Sequence, residues 1–136
     1  MAEGSTTVSD DELVYRRIPD SQKWYDSSVS PYPSDQAFTP QKLDADGLSL
    51  STASHTTPKL CAASGTAGKL YWVAVLSVGE LRRAGFSIVS DYPGHCLIPA
   101  MTYATKKSDE NVQRAFTLSR MCLRIEGPFT GTKERP

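Results

Sequence analysis

The residues of this chain that could carry chemistry are few and widely separated. His95 and Cys96 are adjacent, but neighbours on a strand point to opposite faces, so they cannot form a nucleophile–base pair with each other. A pair between His95 and Ser49 or Cys61 needs a tertiary contact that spacing alone does not show. The alternative that we favour is a histidine that leaves a turn and forms a hydrogen bond near Asp91.

The three cysteines do not predict a metal or redox site. Cys61, Cys96 and Cys122 form no C-x-x-C pair, and together with two histidines they lack the spacing of a zinc site. We therefore predict neither a metal nor a cofactor, and we interpret the thiols as small buried groups in a reducing cytoplasm. No apolar run approaches the ~20 residues that span a bilayer, and no secretion-signal pattern is present.

Two strand-borne residues indicate an enzymatic alternative. Arg16 in a first strand, followed by Ser49 in the segment GLSLS, resembles the pattern of the ADP-ribosyltransferase superfamily. The resemblance implies that Arg16 grips a dinucleotide and that Ser49 supports the nicotinamide pocket, and a planar guanidinium suits such oxyanions. The third element of that family, a glutamate on a later strand, has no counterpart, since Glu80 is predicted in a helix cap and Glu126 at a helix end. With His95, these residues are the catalytic candidates for a toxin or enzyme that acts on a nucleotide or nucleic acid.

The same residues also have simpler interpretations. Arg16 and Arg17 suit a partly exposed strand that pairs with acidic neighbours. A second possibility concerns five polar residues predicted near the ends of elements. These residues are Arg16, Asp44, Asp46, Ser49 and His95. If they converge on one side of the sheet, they form a polar cleft. If they lie apart, they serve only as caps and turn residues.

Residues 19–46 predict a long irregular excursion, because four prolines interrupt a segment rich in serine and aspartate. Such a length is unusual for a simple connection. We expect Phe38 to be buried and to anchor the excursion. We interpret Trp24, Tyr25 and Tyr32 as partner-binding residues, since aromatic side chains must pack on the domain's own core or on a partner.

Charge is balanced overall but uneven along the chain. The 15 basic and 15 acidic residues give no net charge, which excludes a protein that coats nucleic acid through bulk charge. Residues 1–60 hold 5 basic and 9 acidic side chains, and residues 61–136 hold 10 and 6. Either the two halves attract each other within the fold, or a basic helix face with Arg120 and Arg124 docks an acidic partner. A weaker alternative is nucleic-acid binding by a set of arginines: Arg82, Arg83, Arg114, Arg120 and Arg124.

Hydrophobic patterning predicts one α+β domain with a mixed or antiparallel sheet of four to five strands. The strands are expected at 13–18, 48–51, 69–76, 86–89 and 95–98. Short helices are expected near 57–64, capped by Thr57, and near 77–84, capped by Ser77 and ended by Gly85. A C-terminal amphipathic helix over 109–124, capped by Ser108, is expected to cover one face of the sheet. Its predicted apolar face consists of Val112, Ala115, Phe116, Leu118, Ser119, Cys122 and Leu123. We place a disordered tail at 1–12, the domain at 13–128 and a flexible tail at 129–136.

Several segments together resemble a family of small bacterial proteins with no established activity. The matching segments, which cover most of residues 13–98, are YRRI, QAFTP, DGLSL, GELRRAG and DYPGH. The resemblance implies an intracellular bacterial or phage-related origin, in conflict or mobile-element systems, and implies no catalytic residue. No complete catalytic set is present. The sequence therefore favours a non-catalytic module that binds another protein through residues 20–40 and the basic helix face, with the nucleotide-acting enzyme as the alternative.

Overall fold

Six antiparallel strands form the sheet of the structure, a computed structural model that describes residues 8–133. The spatial order of the strands is β4-β5-β2-β1-β3-β6. The prediction of a single small α+β domain is confirmed, but the expected four to five strands are too few. The strands are β1 Leu13–Pro19, β2 Leu48–Thr52, β3 Leu70–Ser77, β4 Val89–Tyr92, β5 His95–Ile98 and β6 Arg124–Thr130.

Three α-helices begin where the sequence places capping residues. Thr57 accepts a hydrogen bond from the amide of Leu60 at the start of α1, and Pro58 occupies the first turn, where its missing N–H costs nothing. Ser77 and Ser108 cap α2 and α3 in the same way, as predicted. The helices are α1 Pro58–Ala63, α2 Val78–Arg83 and α3 Asp109–Arg120, with 3-10 turns at Asp35–Phe38 and Tyr103–Thr105.

The sheet has apolar residues on both faces. Along β1, Val14 and Ile18 lie in the larger core, while Tyr15 lies in a smaller cluster on the other face. The larger core includes Phe38, which is fully buried as predicted, together with residues from α2 and α3. The smaller cluster includes Cys61 and other residues of α1 and β3. Strand β3 is covered on both faces, which explains its continuous apolar run.

The strand predicted at 86–89 begins later than expected. After α2, Gly85 adopts a φ of +98° and turns the chain, as predicted. Phe86 and Ile88 then insert into the core instead of pairing with a neighbouring strand. Pairing with β5 starts only at Val89. Burial of two large side chains therefore decides the conformation of this segment.

The C-terminal helix is shorter than predicted. It ends at Arg120, residues 121–123 turn the chain, and Arg124 begins β6, which pairs with β3. The segment expected as a tail from residue 129 begins inside β6, and the amide of Gly131 donates to the carbonyl of Lys69. The apolar periodicity by itself predicts a helix that continues through Leu123. Pairing along an open edge of β3 satisfies the backbone of residues 124–130 instead.

Helix α3 contacts the irregular excursion as well as the larger core. Ala115 and Leu118 belong to the larger core, and Ser119 donates a hydrogen bond to the carbonyl of Pro33. Val112 and Phe116, which were expected on the buried face, are 49 % and 45 % exposed. The apolar face of α3 is therefore only partly covered.

The predicted N-terminal tail is tied to the domain over its last residues. Val8 is buried, and the carbonyls of Asp10 and Glu12 accept from the first amides of α2. These bonds satisfy donors that a helix start leaves unpaired. Residues 1–7 and 134–136 lie outside the described residues.

Candidate functional site

Strands β1 and β2 separate after a short paired segment, and an opening forms between them. Only Val14 and Tyr15 of β1 are in register with β2. Beyond them the guanidinium of Arg16 fills the gap, with Nη1 donating to the carbonyl of Ser49 at 3.0 Å and Nε donating to the carbonyl of Ala37 at 3.2 Å. Arg16 therefore links both strands to the returning excursion.

Asp44 completes this junction from the excursion side. Its carboxylate accepts from Arg16 at 3.2 and 3.4 Å, from the amide of Gln41 at 2.7 Å and from the amide of Ser49 at 3.0 Å. Burial by itself would raise the pKa of Asp44, but the charge of Arg16 and these hydrogen bonds outweigh it and hold the pKa below its ordinary value. The pair is a buried, fully hydrogen-bonded ion pair.

All five polar residues that the sequence offered as a possible cleft line one cavity of about 680 Å³. The catalytic candidates Arg16, Ser49 and His95 are among them. Their roles differ, however, because every terminal nitrogen of Arg16 already donates to Asp44 or to a carbonyl. Arg16 therefore supports the cavity wall, and its assignment as a catalytic residue stays a prediction.

His95 lies at the rim of this cavity beside a turn. Its Nδ1 is 2.6 Å from Oδ1 of Asp91, which confirms the turn-exit interpretation. Its ring is parallel to that of Tyr92, with centroids 4.6 Å apart. Ser51 lies opposite His95 on β2, but within residues 8–133 no hydrogen bond joins the two side chains. Asp91, His95 and Ser51 therefore do not form a nucleophilic triad in this structure.

The floor between β1 and β5 carries hydroxyl groups. Ser51 lies opposite both Tyr15 and His95 in the strand register, and Ser49 lies opposite Leu97. On the far side, Arg17 donates to the hydroxyl of Ser64 at 2.5 Å and lies 5.3 Å from the centre of the Tyr71 ring. Alternation along β1 directs Arg17 to the face opposite that of Arg16.

The cysteine thiols are unsuited to nucleophilic chemistry. Burial raises the pKa of Cys96 and of Cys122 to about 12. Burial also raises the pKa of Cys61, the only one of the three that lines the cavity. A protonated thiol is a poor nucleophile, so the three cysteines act as packing groups.

The three aromatic residues assigned to partner binding have different environments. Tyr25 is 8 % exposed and packs edge-to-face on Trp72, with ring centres 5.0 Å apart. Trp24 is half-buried beside the core and the cavity. Tyr32 is 39 % exposed. The structure therefore leaves Tyr32 as the exposed ring of the three.

Tyr32 lies beside the other predicted binding residue, Arg120. The guanidinium of Arg120 lies 5.0 Å from the ring centre of Tyr32 and 4.7 Å from that of Phe116. Val29, which is 79 % exposed, lines the same groove of about 440 Å³. We call this surface, formed by Val29, Tyr32, Phe116 and Arg120, the aromatic patch.

Arg124, the remaining predicted binding residue, is not part of the aromatic patch. It lies on β6 and pairs with Glu126 at 2.8 Å. The sequence identified Tyr32 and Arg120 but missed Val29 and Phe116. The helical pattern assigns Phe116 to the buried face, but its side chain is 45 % exposed.

Within residues 8–133 there is no group of three or more histidine, cysteine or acidic side chains placed to hold a metal ion. Among the same residues, none of the helices is long and apolar enough to cross a membrane. No protein-family model, curated protein or solved structure matches this chain.

Proposed function

We propose that this protein is a non-catalytic interaction module that binds another protein through the aromatic patch. The observation that carries the proposal is the position of Arg120 between two aromatic rings. Stacked on both, the guanidinium is held in place on the surface. Arginine and tyrosine are the residue types enriched among those that dominate binding energy at interfaces.

Arg120 has a charge that the fold does not neutralise. No carboxylate within residues 8–133 lies at ion-pair distance from it. Other arginines of the predicted basic set are neutralised, since Arg82 pairs with Asp10, Arg83 with Glu80 and Arg124 with Glu126. Its guanidinium donates to the hydroxyl of Ser119 at 3.3 Å, and a partner carboxylate would add the bidentate acceptor that the described residues do not supply.

The surroundings of Arg120 define the partner further. Val29 and Phe116 offer apolar contact area beside the cation. Asp26 and Asp35 line the same groove, so they disfavour a partner with a row of negative charges and leave room for a single one at Arg120. The ligand is therefore a protein segment that presents one carboxylate next to aliphatic side chains. This argument favours a protein over the nucleic acid that the arginine set suggested.

We extend the proposal to the role of α3, to the location of the protein and to the system in which it acts. α3 shields the larger core on one side while its exposed stripe serves the partner. The protein acts in the cytoplasm, as a component of a bacterial conflict or mobile-element system. The mutual packing of α3 and the excursion supports the first of these statements, and the family resemblance supports the others.

Site-specific photocrosslinking tests the proposal. A photoreactive phenylalanine analogue is placed at Val29 or Phe116 within the aromatic patch, and at Tyr103 as the control. Tyr103 is also partly exposed and stacks under a cation, Lys106, but lies outside the groove. In the organism's own cells we expect one shared partner from both patch positions, whose attached peptide carries Asp or Glu beside aliphatic residues.

Two results would contradict the proposal. The first is the absence of any protein adduct from either patch position when the folded chain is present. The second is the same set of adducts from Tyr103 as from the patch. An adduct formed with nucleic acid alone would support the arginine-set alternative instead.

A further inference from the structure

The cavity on the other side of the sheet has features that the interaction module does not use. Its lining includes residues of α1 and of the β4–β5 hairpin, together with Tyr15 and Arg17 of β1. A volume of about 680 Å³ falls within the range of small-molecule sites. The aromatic patch belongs to α3 and the excursion, which pack on the larger core of the opposite face.

One end of this cavity carries two rings stacked on each other, so a planar ligand can stack on the outer face of this pair. His95 and Tyr92 stack with an interplanar angle of 3°, and Asp91 holds the imidazole by Nδ1. Within residues 8–133, Nε2 of His95 makes no hydrogen bond. Tyr92 is 57 % exposed, an unusual exposure for a large ring. Such a surface suits the stacking of a planar heterocycle.

The other end of the cavity carries the cation Arg17. Three aspartates also line the cavity: Asp44 pairs with Arg16, Asp91 contacts His95, and Asp46 belongs to the excursion. Arg17 has no carboxylate at ion-pair distance among the described residues, and it is oriented by Ser64 and the ring of Tyr71. Burial alone would raise the pKa of Tyr71, but hydrogen bonds with Thr66 and the charge of Arg17 outweigh it and lower the pKa. An oriented guanidinium is suited to binding a phosphate.

The space between the two ends is lined with hydroxyl groups. β2 lies between β1 and β5, so Ser49 and Ser51 lie between Arg17 and His95. Serine hydroxyls can both donate to and accept from the hydroxyls of a sugar. The order along the cavity is therefore an aromatic surface, a hydroxyl-lined floor and a cation.

We propose that this cavity binds a nucleoside monophosphate. The base stacks on Tyr92 and His95, the ribose contacts Ser49 and Ser51, and the phosphate binds Arg17. The proposal concerns binding and assigns no reaction. It is independent of the protein-binding proposal, because it uses none of the residues of the aromatic patch.

Titration calorimetry with AMP, GMP, CMP and UMP tests this site, with adenosine and inorganic phosphate as partial ligands. For a nucleotide that binds, we expect Arg17→Met to weaken binding roughly tenfold to a hundredfold, the loss of a charge-assisted interaction. Tyr92→Ala should weaken it by roughly fivefold to a hundredfold through lost stacking. Arg83→Met, an exposed arginine of α2, is the control and should leave affinity within twofold.

Comparing the affinities for AMP and for adenosine shows whether Arg17 binds the phosphate. Removing the phosphate from the ligand should remove the effect of Arg17→Met, so adenosine should bind the wild type and this variant equally. Three results would overturn the proposal: no heat with any of the four nucleotides at millimolar concentration, an unchanged affinity in Arg17→Met, or phosphate binding as tightly as the nucleotide. Circular dichroism of each variant shows that it is folded.

Discussion

The two halves of the excursion both lack a regular apolar pattern, but they differ in what they bury. The outer turn, residues 26–34, exposes Val29 and Tyr32. The return segment, residues 35–47, buries Phe38 completely and leaves Asp44 only 3 % exposed. Both halves contain proline and aspartate, while serine occurs only in the outer turn.

The difference comes from what each half contacts. The return segment lies over the opening between β1 and β2, where Arg16 supplies four donated hydrogen bonds to it and to β2. The outer turn is held to α3 mainly by the Ser119–Pro33 hydrogen bond and by Arg120. One half therefore stabilises the fold, and the other is available for binding.

Phe38→Ala should have the largest effect. The ring is fully buried in the larger core, and its removal leaves a cavity, so we expect the free energy of unfolding to fall by about 4 kcal/mol. Urea denaturation followed by circular dichroism measures the change. A loss below about 1 kcal/mol would show that the return segment is not part of the cooperative core.

Arg16→Met should lower the free energy of unfolding by about 3 kcal/mol, because it leaves the carboxylate of Asp44 buried without its cation. Arg17→Met is the matched control on the adjacent position, and it should change stability by less than about 0.5 kcal/mol. Equal losses in the two variants, measured by the same denaturation, would refute the distinction between the two arginines.

Acid should weaken the return segment before the outer turn. The pKa of Asp44 is lowered in the folded protein from 3.8, so its ionised form stabilises the fold above that pH. This contribution is lost as pH falls from 3.8 through the lower folded pKa. We expect Asp44→Asn to reduce the dependence of unfolding free energy on pH in this range, measured by urea titrations at successive pH values. An unchanged dependence would contradict the assignment.

Tyr32→Ala should destabilise the protein much less than Phe38→Ala or Arg16→Met. The ring is partly exposed and contacts Arg120 on the surface, so we expect a loss below about 1 kcal/mol. Thermal unfolding of Tyr32→Ala and of Phe38→Ala under the same conditions compares the two losses of stability directly. A loss as large as that of Phe38→Ala would mean that the outer turn is structural.

The local signals in the sequence predicted much of the fold. Caps at Thr57, Ser77 and Ser108 and the turn at Gly85 are confirmed, since each depends on the residues next to it. β6 was missed because a strand ending in Gly-Pro-Phe has little pattern of its own and exists through pairing with β3. Where the local preference for a helix or a strand is weak, tertiary contacts therefore determine the secondary structure.

The candidate sites were predictable only in part. The polar residues near element ends were recognised, but their convergence depends on the separation of β1 from β2, which no local pattern reveals. Tyr25 was assigned to a partner and instead packs on Trp72. An aromatic residue in an irregular segment carries no periodicity that indicates which side faces the core.

The most direct test of the interaction surface is photocrosslinking from position 29 in three forms of the chain. The first keeps Arg120, the second carries Arg120→Ala, and the third carries Arg114→Ala, a control on the same helix whose arginine contacts Asn111. We expect one protein adduct in the first and third forms, and we expect this adduct to be absent in the second. An adduct of equal yield in all three forms, or none in any of them, would contradict it.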